Sequence, residues 1–297
     1  MKRIIITGAA GLLGQHLIRC LKSDKNHDSD FSILSIDKAA NPFKQSANLR
    51  YIQTDLIEFD PLKSAIEDFK PDLIFNCASY NDVDGAEENK KLADDINVHL
   101  VENLLELSPK KIIHFSSDYV FNGLHGPYSE EDTPLPINHY GQTKYRSERI
   151  LTESGGNHLI IRSNVLYGTG TDIRPNFVTW LIGSLRRNER VRIVTDQFGN
   201  PTYAGNLAEA AIEAARMDFT GILHIAGKDY LSRYEAALKA AAFFNLDSKM
   251  ITPIITEKLS QPARRPLRAG LTIDKAGKLL KTGLLGLDEG LRLMADF

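Results

Sequence analysis

This chain of 297 residues has little cysteine, tryptophan or methionine, with two, one and four of each, and no long apolar run. Cys20 and Cys77 stand far apart, one in an expected helix and one in an expected strand. They make neither a metal-ligand pair nor a disulfide framework, and two inert, buried thiols are expected. The eight histidines include no His-x-x-x-His pair and no His-Glu-x-x-His, so a metal site has no support. Met1-Lys2-Arg3 resembles a basic leader, but Ile4-Ile5-Ile6 ends at once in Thr7-Gly8, too short for a secretory core or a membrane span. A cytoplasmic protein is expected. A net charge of −2, with both signs interspersed, gives no general attraction to nucleic acid or to an anionic membrane. Repeats and low-complexity tracts are also missing, which argues against solenoids and strings of small domains.

What is present is enough apolar residue, 42%, for a full core. Short apolar runs at residues 3–7, 31–36, 49–53, 73–78, 111–115 and 158–161 read as buried strands. Helical spacing fills residues 12–22, 61–69, 88–107 and 140–153 between them. That alternation predicts an α/β fold, a doubly wound parallel sheet of the Rossmann kind, with a smaller C-terminal substrate-binding domain. Residues 1–165 plus about 203–226 are assigned to the dinucleotide-binding domain, and 166–202 plus 227–297 to the substrate-binding domain.

The first strand runs into Gly8-Ala9-Ala10-Gly11-Leu12-Leu13-Gly14 and then a helix. Such a turn lets backbone approach a pyrophosphate at a helix N-terminus. Asp37, at the end of the second strand and followed by Lys38, is placed to accept hydrogen bonds from an adenosine ribose. NAD or NADP is the expected cofactor, with NAD favoured because a second carboxylate would repel a 2′-phosphate. Asp55-Leu56 and Asn76-Cys77-Ala78-Ser79 follow the third and fourth strands. Each reads either as a cofactor edge or as a polar strand end. Ser116-Ser117-Asp118-Tyr119 closes the fifth strand, at the end of the sheet where such folds bind ligands. Tyr140 and Lys144 are one helical turn apart, so that an ammonium could stabilise a phenolate and lower the tyrosine pKa. Of the ten tyrosines, Tyr140 alone has a lysine four positions on.

Together with Pro127-Tyr128-Ser129-Glu130-Glu131, Val83-Asp84 and Asp196-Gln197-Phe198-Gly199-Asn200-Pro201-Thr202, these motifs resemble the extended short-chain dehydrogenases/reductases, and among them the dTDP-4-dehydrorhamnose reductases. The resemblance implies NAD(P)H-dependent reduction of the keto group of a nucleotide-linked deoxysugar. Tyr140 would then be the proton donor, Ser117 would take the family's catalytic threonine position, and Lys144 would hold the nicotinamide ribose. It further implies a nucleotide-sugar substrate contacted by Tyr80, Asp118, Tyr119 and Arg265, and a homodimer as one possible assembly. The loop around Arg265 reads equally well as a solvated basic loop. The chain departs from the family pattern in three places: Gly85 replaces a lysine, Val165 a tryptophan, and Arg268-Ala269 an Asn-Ser pair. The same resemblance extends to nucleotide-sugar epimerases and dehydratases, and to the regulatory beta subunit of methionine adenosyltransferase.

Overall fold

The computed structural model describes residues 2–23, 31–44, 46–107, 109–217 and 219–295. Six strands, β1 (Lys2–Thr7), β2 (Phe31–Asp37), β3 (Leu49–Gln53), β4 (Leu73–Asn76), β5 (Ile112–Ser117) and β6 (His158–Ser163), join Gly221–His224 in one sheet. Its order is Gly221–His224, β6, β5, β4, β1, β2, β3, and every pairing is parallel. Alternate residues of a strand face opposite sides. Ile4, Ile6, Phe75 and Ile113 therefore pack under the helices Leu12–Ser23 and Ala204–Arg216, while Ile5, Ile74, Ile112 and Ile160 pack under Phe59–Phe69 and Leu100–Glu106. The strand order reverses between β1 and β4, which opens a crevice at their carboxyl ends.

The single helix expected over residues 88–107 is broken. Val83–Glu88 and Lys90–Asp94 are separated by Asn89, and a π-turn over Asp95–His99 precedes Leu100–Glu106. Single π-turns inside helices recur at functional sites. Here the π-turn brings in Asn97, a buried residue that meets the loop after β4.

A second core gathers Tyr167, Leu181, Val191, Ala237, Leu287 and Leu291. Around it lie three two-stranded pairings: Leu166–Tyr167 with Thr202–Tyr203, Phe198–Gly199 with Leu231–Ser232, and Val191–Val194 with Ile251–Ile254. The C-terminal chain returns to the sheet domain, where Gly126 and Tyr128 donate to the carbonyls of Arg268 and Gly270, and Thr272 donates to that of Tyr128.

The helix His139–Glu153 is fixed to the sheet by a buried ion pair. Glu148 accepts from Arg162 at 2.9 and 2.7 Å, and its Oε1 also accepts from Ser116 Oγ. Both side chains are almost wholly buried, and the guanidinium also lies 5.1 Å from the Phe121 ring centroid. Arg162→Met would leave a carboxylate buried without its partner, an expected loss of about 3–5 kcal/mol of unfolding free energy in urea. The double variant Arg162→Met/Glu148→Leu should lose less, and equal losses would show that charge compensation is not what the pair supplies.

Candidate active site

Gly8 sits at φ +64, and a Cβ on it would come within 2.6 Å of the Ala78 nitrogen. On Gly14 it would come within 2.5 Å of the Gly8 carbonyl oxygen, whereas Gly11 meets the same oxygen at 3.1 Å. The turn is thus pressed against the loop after β4, and two of its glycines are fixed by space. Leu12 opens the following helix and Leu13 enters the core. Asp37 accepts from Ala10 N and Ala39 N, each at 2.9 Å, tying the turn to the end of β2, with Lys38 exposed beside it. Asp55 accepts from Ile57 N at 3.3 Å and Leu56 is buried in the core, contacts that belong to a strand-ending turn. Cys77 donates from its backbone to Thr7 at 3.1 Å, and burial pushes its thiol well above the usual range. Cys20 is pushed up to about 12 by the same cause. Ser79 Oγ and Tyr80 N both donate to Asn97 Oδ1, at 3.1 and 2.8 Å, and Asn97 Nδ2 donates at 2.8 Å to Thr143 on the next helix.

That helix begins at Asn138, whose side chain accepts from Gly141 N at 2.8 Å. The Tyr119 carbonyl presses where a Cβ of Gly141 would lie, and the Tyr119 and Tyr140 rings meet edge to face at 5.8 Å. The Tyr140 phenol interacts with the hydroxyls of Ser117 and Ser79. Its pKa is not lowered as the Tyr-x-x-x-Lys spacing implies. Burial pushes it well above the ordinary value, Asp118 and Tyr119 add to the rise, and the contacts with Ser117 and Ser79 oppose it. Lys144 acts on Cys77 and His114, towards β4 and β5. Burial lowers its pKa to about 8, with Glu148 opposing. Its Nζ is enclosed and has no hydrogen-bond partner among the described residues.

A buried polar chain supports the lysine turn from below. Thr7 Oγ1 donates to Asn76 Oδ1 at 2.7 Å, and Asn76 Nδ2 lies 3.2 Å from His114 Nδ1. His114 Nε2 lies 3.1 Å from Ser147 Oγ, which donates to the Lys144 carbonyl at 2.7 Å. Burial, with Lys144 adding to it, holds His114 far below the usual histidine value and therefore neutral.

Ser117 Oγ donates to Asp118 Oδ1 at 3.1 Å and accepts from Tyr119 N at 3.1 Å. The other Asp118 oxygen accepts from Asn164. Burial raises Asp118 to about 7, against the Ser117 hydrogen bond and the charge of Arg233. Arg233, half-buried and 5.1 Å from the Phe177 ring centroid, forms no ion pair among the described residues. The motif reading passed over Asn97, Asn164, Arg233 and the Glu148–Arg162 pair. Only Glu148 carried a local signal, standing one further turn beyond Lys144.

Arg265, expected to contact the substrate, is held by a carboxylate in this structure. Its fork closes on Asp84 at 2.9 and 2.7 Å, and the same carboxylate accepts from Ala263 N at 3.0 Å. Gly85 also finds a local reason, since a Cβ there would lie 2.5 Å from the Tyr80 hydroxyl. Val165 takes a left-handed φ of +44, which is costly for a β-branched residue.

A dinucleotide turn, a strand-end serine and an enclosed Tyr–Lys turn at the reversal of a parallel sheet define the extended short-chain dehydrogenase/reductase class. The chain belongs to the family described as RmlD substrate binding domain, which it matches over residues 1–296. It is 30% identical to the dTDP-4-dehydrorhamnose reductase of Aggregatibacter actinomycetemcomitans, over 93% of this chain and 92% of that protein. It is also 30% identical to the methionine adenosyltransferase 2 subunit beta of Danio rerio, over 91% of this chain and 82% of that one. The crystal structure of dTDP-4-dehydrorhamnose reductase from Bacillus anthracis in complex with NADP superimposes with a TM-score of 0.84 at 27% identity, covering 100% and 99% of the two chains.

The residues of this chain fit a nicotinamide dinucleotide. The glycine turn leaves no room for side chains, and Lys144 offers a buried ammonium without a hydrogen-bond partner among the described residues. With a pKa of about 8, that ammonium is present below pH 8 and lost above it. Affinity for NADPH or NADH, followed by calorimetry, should therefore hold to about pH 8 and weaken beyond, and Lys144→Met should abolish that slope.

Proposed function

We propose that this chain reduces the keto group of a nucleotide-linked deoxysugar with NADPH or NADH, the substrate being most simply the 4-keto group of a dTDP-linked hexose. The observation carrying this reading is the assembled trio: Tyr140 against the Ser117 hydroxyl, with Lys144 enclosed one turn away. The cofactor, when bound, supplies the hydride. Tyr140 delivers a proton to the keto oxygen, and its raised pKa keeps that proton in place at neutral pH, as an acid acting in the reducing direction requires. Ser117 steadies the oxygen. Lys144 holds the nicotinamide ribose and Asp37 the adenosine ribose. Tyr80, Tyr119 and Asp118 border the sugar. Arg265, held by Asp84, and Arg233, whose charge acts on Asp118 and Tyr119, are the candidate cations for the substrate's diphosphate. We place the reaction in the cytoplasm, and no helix among the described residues is long and apolar enough to cross a membrane.

A regulatory subunit is the second reading, favoured by the equal identity to the methionine adenosyltransferase beta subunit. Intact Ser117, Tyr140 and Lys144 support the enzyme. Oxidation of NADPH and NADH with a panel of nucleotide-linked 4-keto sugars separates the two, because a purely regulatory protein turns over none of them. Retention of tightly bound cofactor through purification, with substrate isomerised and no net oxidation, would point to an epimerase.

Tyr140→Phe should lower kcat by roughly two to four orders of magnitude while leaving cofactor affinity near wild type. More than about a tenth of the wild-type rate would remove Tyr140 from the acid's role. Asp37→Ala should raise the use of NADPH relative to NADH, and an unchanged ratio of the two kcat/KM values would deny Asp37 a part in the choice.

A further inference from the structure

Ser117 has a single hydroxyl proton and more than one claimant for it. The proton now goes to Asp118 Oδ1, while Oγ accepts from Tyr119 N and meets the Tyr140 phenol. A keto oxygen beside Tyr140 would need the same proton. An ionised carboxylate is the stronger acceptor, so a charged Asp118 keeps the serine proton turned away from a ketone. A protonated Asp118 reverses the bond. Its own O–H donates to Ser117 Oγ, which still has a lone pair free after accepting from Tyr119, and the serine proton is released to the ligand.

We propose that Asp118 is a positioning residue whose protonation state decides whether Ser117 donates inward to the carboxyl group or outward to the keto oxygen of the substrate. The proposal rests on the ketone-reducing reading given above. The surroundings are arranged for such a choice. Asn164 donates to Oδ2, which favours a proton on Oδ1, the oxygen that faces Ser117. Arg233, at the start of the helix Arg233–Phe243, and the backbone of Gly270 favour the ionised form. Tyr119, Tyr140 and Tyr230 are the other titratable groups whose ionisation Asp118 opposes. Burial of the carboxyl group outweighs the cation and brings the balance point to about 7.

The test is the pH dependence of kcat at saturating NADPH and keto sugar, for the wild type, Asp118→Asn and Asn164→Ala. Wild-type kcat should fall roughly a hundred- to a thousandfold above neutrality, as one donor to the keto oxygen is withdrawn. Asp118→Asn, whose amide cannot ionise, should lose that fall. Asn164→Ala, which removes a donor to the ionised form, should move the fall to higher pH. An Asp118→Asn profile that keeps the wild-type fall overturns the proposal. A second readout needs no turnover. Infrared titration of the folded protein should show a carboxylic acid band lost near neutrality, absent in Asp118→Asn and moved to higher pH in Ser117→Ala. A band that ignores Ser117→Ala breaks the link between the two side chains, even if every keto sugar tried is refused. Refusal of all sugars together with a band that does respond overturns the ketone-reducing reading and upholds the coupling.

Discussion

The buried pair between Glu148 and Arg162 is the constraint on which the site depends. Taking two charges out of water is expensive, and it is tolerated only where geometry and further hydrogen bonds are good. Here the bidentate contact, the Ser116 hydroxyl and the Phe121 ring meet that condition. The pair joins β6 to the helix carrying Tyr140 and Lys144, and Ser116, its third member, is the neighbour of Ser117. Rotation or sliding of the helix would break it, so the phenol, the ammonium and the serine keep one mutual placement. The Thr7–Asn76–His114–Ser147 chain holds the same helix from the side of β1, β4 and β5.

Burial also sets the protons of the site. The groups around Ser117 are driven towards neutral forms: the phenol stays protonated, His114 stays neutral, and both Lys144 and Asp118 are brought near physiological pH. The Tyr140 phenol thereby keeps its proton at neutral pH, while Lys144 and Asp118 are held where modest changes alter their charge. The Lys144 ammonium has no hydrogen-bond partner among the described residues.

The frame of the fold was legible because its signals are local. Apolar runs of strand length, a glycine turn between strand and helix, and a tyrosine four residues before a lysine each lie within one short window. The supports of the site were not legible, because they join distant residues. Arg162 reads as the polar end of a strand, yet it is among the most buried side chains, and its strand runs on to Ser163. Asn97 is hidden by a π-turn that helical periodicity does not register. The partner of Arg265 was not legible because Asp84 lies 181 positions away in the sequence. The Tyr-x-x-x-Lys spacing put the two residues on one helix, but it carries no information about the desolvation that raises the tyrosine.

The Asp84–Arg265 clasp has a consequence for the order of assembly. It joins residues 181 positions apart. Closing a flexible loop of that length is opposed by chain entropy, and one bidentate contact on a half-exposed carboxylate offsets little of it. The clasp is therefore favourable only once the intervening chain has folded, with the sheet's outer strand Gly221–His224 and the helix Arg233–Phe243 already in place.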